Sequence, residues 1–253
     1  MRFGLSAGQL GLLRSLLMYY AIPFRGRQLA RFYAQFIQAG DLCFDIGAHV
    51  GNQLRVWSRL GARVVGVEPQ PACMRFLKRC YRRHPSITLV EQAVGAVPGT
   101  QALHVSQRTP TVSSLSREWI DTVQRVESFA WVRWDTSVSV SVTTLDRLIA
   151  EYGRPAFCKI DVEGYELEVL RGLSQPLPAL SFEYIPAALD TALGCIARLG
   201  ELGTYTFNWK PAALGESYRL ESASWLSPDD MAAQLKNLPP DGASGDVYAR
   251  LRT

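Results

Sequence analysis

The chain has 253 residues, 47% hydrophobic and 20% charged, a globular balance that excludes a disordered tail, a collagen-like repeat and a membrane bundle. Its 27 Lys and Arg against 23 Asp and Glu leave a net charge of +4, too weak over this length to signal a nucleic-acid partner. The five cysteines, Cys43, Cys73, Cys80, Cys158 and Cys195, are odd in number and form no CxxC pair. That pattern fits reduced, mostly buried thiols of a cytoplasmic protein better than a disulfide framework or a zinc site.

At the N-terminus, the uncharged stretches 3–13 and 15–24 both fall short of the roughly 20 apolar residues that a membrane-spanning helix needs. Arg14 interrupts any signal-peptide core, so no transmembrane segment or leader is expected. Residues 10–20 read as an amphipathic helix, and residues 1–40 as a helical segment covering the core. This segment holds five arginines and no acid. A solvated basic face is the expectation, and weak contact with an anionic surface the alternative.

From residue 41 onward, apolar runs alternate with glycine turns and helical patterns. Residues 42–46 (Leu-Cys-Phe-Asp-Ile) read as a buried strand, followed by the turn Gly47-Ala48-His49-Val50-Gly51 and a helix over 52–60 that Gly61 closes. A second strand over 63–67 ends at Glu68-Pro69, because proline cannot extend a central strand. Residues 71–83 predict a basic amphipathic helix and 87–90 a third strand.

Two β-rich pieces, 101–105 and 137–142, bracket a different segment. It opens Ser/Thr-rich over 106–116 and then carries Trp119, Trp131 and Trp134, half of the six tryptophans. This is read as an insertion at about 106–141 with apolar content of its own. Thr143 or Thr144 can cap a helix through Leu145, Leu148 and Ile149. A fourth core strand over 156–160 ends in Asp161, and a fifth over 180–182 ends at Glu183, with helices over 166–173 and 190–202. Residues 205–209 and 246–251 supply two last strands. Such alternation predicts an α/β domain over 41–253: a doubly wound, mostly parallel, seven-stranded sheet with helices on both faces.

Ligands of such sheets bind at the carboxyl ends of the strands. The first turn reads Asp45-x-Gly47-x-x-x-Gly51, unlike the GxGxxG of dinucleotide enzymes, and places an acid just before the first glycine. A carboxylate there repels phosphate and favours a cationic ligand. Glu68 stands 23 residues after Asp45, where an acid accepts hydrogen bonds from the hydroxyls of an adenosine ribose. Together these features suit S-adenosylmethionine, which carries an ammonium and a sulfonium but no phosphate. A tight turn formed for packing reasons alone is the competing reading of the glycines.

The runs Asp45-Ile46-Gly47-Ala48-His49-Val50-Gly51-Asn52, Val67-Glu68-Pro69 and Lys159-Ile160-Asp161-Val162-Glu163-Gly164-Tyr165-Glu166 resemble the FkbM family of S-adenosylmethionine-dependent methyltransferases over about residues 40–190. Thr144-Leu145-Asp146 and Glu183 also match. The resemblance implies a class I, Rossmann-like methyltransferase fold and O-methylation of a hydroxyl on a sugar, glycan or secondary metabolite. Gln70 stands where Asn is commoner, and Tyr165 where a small residue is usual, which puts Tyr165 forward as a modifier of the acceptor side. Cofactor contacts are expected from Asp45, Gly47, His49, Gly51, Asn52, Glu68, Ala93 and Asp161.

A hydroxyl is a poor nucleophile at neutral pH, so a base or a metal is useful. Asp161 is the first choice of base, with Glu183 beside it and Lys159, two residues along the same strand face, positioning the carboxylate. Asp161, Glu163 and Glu183 could alternatively hold Mg²⁺ through oxygen ligands, although no resident metal is expected. For Glu166, favourable placement in the first turn of a helix is the preferred reading. The competing functions are a non-catalytic S-adenosylmethionine-binding protein, an N-methyltransferase and a nicotinamide oxidoreductase. The last is disfavoured by the missing GxGxxG, and base-amine methylation by the absence of an Asp/Asn-Pro-Pro-aromatic run after the fourth strand.

Overall fold

The computed structural model describes residues 7–20, 25–212 and 218–252. Helices α1 (Ala7–Tyr20) and α2 (Arg25–Tyr33) precede β1 (Leu42–Ile46). The chain continues through α3 (Asn52–Arg59), β2 (Arg63–Val67), α4 (Pro71–Tyr81), β3 (Ile87–Val90), β4 (Ala93–Val94) and β5 (Gly99–Val105). After α5 (Arg117–Val123) come β6 (Thr136–Thr143), α6 (Leu145–Tyr152), β7 (Phe157–Ile160), α7 (Glu166–Arg171) and β8 (Ala179–Tyr184). The last elements are α8 (Leu189–Leu202), β9 (Tyr205–Pro211), α9 (Pro228–Lys236) and β10 (Gly245–Leu251).

β1 is buried at every position and β7 likewise, which is why their sequences run apolar without alternating. They form the centre of a seven-stranded sheet of order β3-β2-β1-β7-β8-β10-β9. β10 lies antiparallel to both of its neighbours, while the other pairings are parallel. This is the class I methyltransferase arrangement that the resemblance implies. The chain reverses its winding direction beside β1, so the carboxyl ends of β1, β2 and β7 open onto one crevice.

The β-rich pieces around the tryptophan segment stay out of this sheet. β5 and β6 pair antiparallel along their whole length, and β4 adds parallel to β6. Their sequences explain the separation. Thr-Ser-Val-Ser-Val-Ser-Val-Thr alternates polar and apolar residues, a pattern for a sheet with one wet face rather than a doubly covered core. α2 and α9 were not singled out by sequence. α2 buries Leu29, Phe32 and Tyr33, an i, i+3, i+4 stripe, and α9 is capped by Ser227, whose Oγ accepts the Asp230 N–H.

Helices cover both faces. On one, α7 and α8 pack over Ile160, Leu180 and Phe182. On the other, α2 and α3 meet the sheet through aromatic rings: the Trp57 ring centroid lies 5.2 Å from Tyr33 and 5.6 Å from Phe157, both edge-on. α1 leaves Leu10, Leu13 and Leu17 exposed, while its Tyr20 hydroxyl donates to the Val50 carbonyl at 2.8 Å. Residues 1–6 and 21–24, parts of the N-terminal stretches weighed as membrane segments, lie outside the described residues. Among the described residues, no helix is long and apolar enough to cross a membrane.

Trp57 is fully buried at the junction of α2, α3 and β7. Trp57→Ala is expected to cost about 3–5 kcal/mol in chemical denaturation, the usual cost of a large cavity in a packed core.

Candidate functional site

The turn after β1 is built on glycines that accept no substitute. Gly47 has φ +88°, and a Cβ there would stand 1.9 Å from the Asp161 carbonyl oxygen. The turn is therefore pressed directly against the end of β7. Gly51 caps α3 at φ +78°, and a Cβ would meet Leu77 at 2.8 Å. Between them His49 takes a left-handed φ of +48°, and burial pushes its imidazole down to about 4.

Glu68 ties this turn to the next one. Its carboxylate accepts the His49 N–H and the Gln70 N–H, each at 2.7 Å. Burial nevertheless pushes its pKa up to about 7. Gln70 in turn donates from Nε2 to the Pro110 carbonyl at 2.9 Å, fastening the Ser/Thr-rich segment over the end of β2. Asp45 is 2% exposed, and its Oδ2 has no hydrogen-bond partner. Burial raises its pKa to about 7 even though Lys159 lies opposite in register on β7.

Two cavities open at these strand ends. The smaller, about 70 Å³, is lined by Glu68, Ala93 and apolar side chains including Val67, Val94, Leu103 and Leu115. The larger, about 570 Å³, has the size of a small-molecule site and is lined by Asp45, Asn52, Lys159 and Glu183. Gly47, His49, Asp161 and Glu163 line both. Seven of the eight expected cofactor residues thus face one or other cavity, whereas Gly51 faces neither and shapes the turn.

Asp161, Glu163 and Glu183 can each present an oxygen within 4.8 Å of the others. Beneath them Lys159, 4% exposed, donates from Nζ to Asp161 Oδ2 at 2.5 Å and lies 3.6 Å from Asp246 Oδ1. Asp246, facing Glu183 across the β8–β10 ladder, was missed by sequence reasoning, because nothing local announces which strand lies beside β8. Burial, followed by the neighbouring acids, raises the pKa values of Glu163 and Glu183 well above the usual carboxylate range, and Glu183 Oε2 is buried without a partner. Among the described residues, this is the one set of three such side chains able to surround an ion. The Lys159 ammonium already supplies a cation on Asp161, which weighs against a metal there.

Glu163 is held in a left-handed backbone at φ +55°. Ser114 Oγ donates to its carbonyl at 2.6 Å, and the buried Glu166 carboxylate accepts the Val162 and Gly164 N–H groups. Glu166 thus braces the loop, a more specific structural role than helix-dipole placement. Gly164 sits on Trp119, where a Cβ would clash at 2.1 Å, and Trp134 Nε1 donates to the Val112 carbonyl at 2.7 Å. These tryptophans pack the segment and do not line either cavity. Tyr165 also points elsewhere: its hydroxyl donates to Gln101 Oε1 at 3.0 Å, on β5, so the expected influence on the acceptor side has no contact to carry it.

The model of the methyltransferase FkbM domain matches residues 45–186, more than half of the chain. The chain belongs to the FkbM methyltransferase domain family. Among curated proteins, the hexuronic acid methyltransferase AglP of Haloferax volcanii is 25% identical over 167 residues, covering 62% of this chain and 61% of that protein. Among solved structures, precorrin-6Y C5,15-methyltransferase of Geobacter metallireducens aligns with a TM-score of 0.46 at 12% identity, covering 92% of each chain. The C-terminal domain of the Rhodobacter capsulatus enzyme of that name gives 0.40 at 12% identity, over 87% of this chain and 84% of that one.

The buried carboxyls have a consequence for stability. A carboxyl whose folded pKa is raised to about 7 binds its proton more tightly when folded, so its burial costs nothing below pH ~4 and destabilises progressively up to pH ~7. The ligand-free protein is expected to lose thermal stability across that window. Asp45→Asn, which removes one such group, should flatten the decline. An equally steep decline in the variant would show that Asp45 titrates normally.

Proposed function

We propose that this protein is an S-adenosylmethionine-dependent O-methyltransferase that modifies a hydroxyl of a sugar or glycan. The observation that carries the reading is the concentration of acids at the crevice of a family-typical fold: buried Asp45 with a partnerless oxygen, buried Glu68 beside the apolar slot, and the half-buried Asp161–Glu163–Glu183 cluster where the two cavities meet. A cationic, phosphate-free nucleoside suits this donor set, and no side chain at Gly47 obstructs it. The Haloferax relative's name supports a sugar as acceptor.

When bound, S-adenosylmethionine supplies an electrophilic methyl on a sulfonium and a good leaving group. Glu68 would accept hydrogen bonds from the ribose hydroxyls, and Val67, Val94, Leu103 and Leu115 would enclose the base. Asp45 would hold the ammonium, with Gly47, His49 and Asn52 shaping the backbone path. On the acceptor side, Lys159 fixes Asp161 in one orientation through the 2.5 Å ion pair. That pairing occupies Asp161 Oδ2. Glu183, whose pKa burial raises, keeps an oxygen without a partner and is open to accept an alcohol proton. We therefore assign proton acceptance to Glu183 and orientation of the hydroxyl to Asp161, a shift from the sequence-based first choice.

Glu68→Gln is expected to weaken S-adenosylhomocysteine binding by about 1–3 kcal/mol in calorimetry, through polar groups left poorly paired. Unchanged affinity would remove Glu68 from the donor site. Glu183→Gln should lower kcat by about 10²–10⁴-fold while leaving that affinity intact. Because the base form of a raised carboxyl appears only above its pKa, wild-type kcat should climb with pH and then level, and Glu183→Gln should lose this limb. An unaltered profile would return the role to Asp161. Activity is expected to survive EDTA, and its loss would instead favour a metal at the cluster.

A further inference from the structure

α1 is turned inside out for a helix that faces only water. Its inner side carries the small residues Gly11 and Ser15, both buried. A Cβ at Gly11 would stand 2.2 Å from the Gln107 carbonyl oxygen, and Ser15 Oγ donates to the Gly11 carbonyl at 3.2 Å. Its outer side carries Leu10, Leu13 and Leu17, an i, i+3, i+7 stripe, with Met18 beside it. Among the described residues six large apolar side chains are exposed, and these are four of them. A fifth is Trp131, which lies under the Arg14 guanidinium at 5.2 Å from the ring centroid. Apolar side chains exposed singly need no explanation, but a contiguous set marks a surface that meets something apolar.

Arginines surround the same helix. Arg14 is on it, and Arg25 donates from Nη1 to the Met18 carbonyl at 2.8 Å. Arg55 lies over the Tyr20 ring, Arg75 shares a cavity wall with Gly8 and Leu12, and the Arg108 backbone abuts Gly11. Among the described residues, no acid forms an ion pair with Arg14, Arg55, Arg75 or Arg108. Residues 1–40 contain no acid, and neither do residues 71–83, which form and follow α4, the helix packed on α1. The segment around Trp131 is balanced, with Arg125 and Arg133 against Glu127 and Asp135. The apolar stripe therefore sits in a positively charged surround.

We propose that the outer face of α1, together with Trp131, docks on an anionic lipid bilayer. The helix lies in the plane of the interface, its leucines enter the acyl boundary, and the surrounding arginines meet the headgroup phosphates. With 14 residues α1 is about 21 Å long, short of the roughly 30 Å hydrocarbon core, so it lies on the membrane and does not cross it. A second copy of the chain is a poorer occupant, because a two-fold pairing of this face sets the same arginines against one another. Docking also bears on the crevice. Met18 lines the larger cavity as well as the apolar stripe, so a docked molecule holds that side of the cavity at the lipid surface. The inference stands on α1 and Trp131 and is independent of the reaction assigned to the crevice.

The test is vesicle flotation of the full chain, with light scattering to follow oligomeric state and melting curves as a folding control. Phosphatidylcholine vesicles are compared with vesicles that also contain phosphatidylglycerol. Wild-type protein is expected to bind the anionic vesicles about tenfold or more tightly than the neutral ones, and to release them as salt is raised. The double variant Leu13→Asn/Leu17→Asn should lose about tenfold or more of that binding with an unchanged melting temperature, since both side chains are exposed. Arg14→Gln should lose about fivefold, the usual contribution of one basic residue at an anionic surface. It decides the matter alone should the double variant melt early. The proposal is overturned if wild-type protein does not bind the anionic vesicles or binds both kinds equally. It is also overturned if the folded double variant binds as wild type does, or if Arg14→Gln changes nothing. A wild-type dimer that the leucine substitutions dissociate, without vesicle binding, would assign the face to a second copy and overturn the bilayer as its occupant.

Discussion

One buried ammonium, Lys159, sits among carboxyl groups that the strand ends force together. It reaches Asp161 at 2.5 Å and Asp246 at 3.6 Å, lies opposite Asp45 in the sheet, and stands beneath Glu163 and Glu183. A single positive charge cannot satisfy so many acids in a low-dielectric setting. Burial first, and the neighbouring acids after it, raise the pKa values of Asp45, Glu163 and Glu183. Carboxyls that are costly to ionise weaken the empty protein as pH rises, and under the proposed function a cationic donor would offset that cost.

The loops around this centre are braced rather than loose. Glu68 joins the first two strand-end turns, Gln70 anchors the segment around Pro110, and Ser114 with Glu166 holds the Asp161–Gly164 loop in shape. The tryptophan segment supplies these braces and the wall of the apolar slot, while its own Trp119 and Trp134 are used for packing. Pre-organisation of this kind keeps charged groups from collapsing onto one another, which is what a site acting through positioning and electrostatics requires.

The centre of the fold was legible because its signals are local. Continuous apolar runs marked β1, β2 and β7, and the acids at their ends followed directly from the strand boundaries. Gly47 and Gly51 could be placed because both stand where the backbone takes positive φ. What escaped is non-local. Asp246 reaches Lys159 only because β10 inserts between β8 and β9. Arg25 and Lys210, more than 180 residues apart, meet through Tyr218 with no motif to announce it. The small sheet was readable as strands from its alternating Ser-Val pattern, but its separation from the main sheet depends on pairing partners that composition does not specify.

The electrostatic account is tested most directly by proton linkage to donor binding. S-adenosylmethionine is titrated into the protein between pH 5 and 8, in buffers of different ionisation enthalpy, so that calorimetry counts the protons exchanged. A cation docking among carboxyls of raised pKa should discharge their protons, so net proton release near pH 6–7 and an affinity that rises with pH are expected. Binding without proton release and with pH-independent affinity, or no binding at all, would contradict the claim that these acids form the donor site.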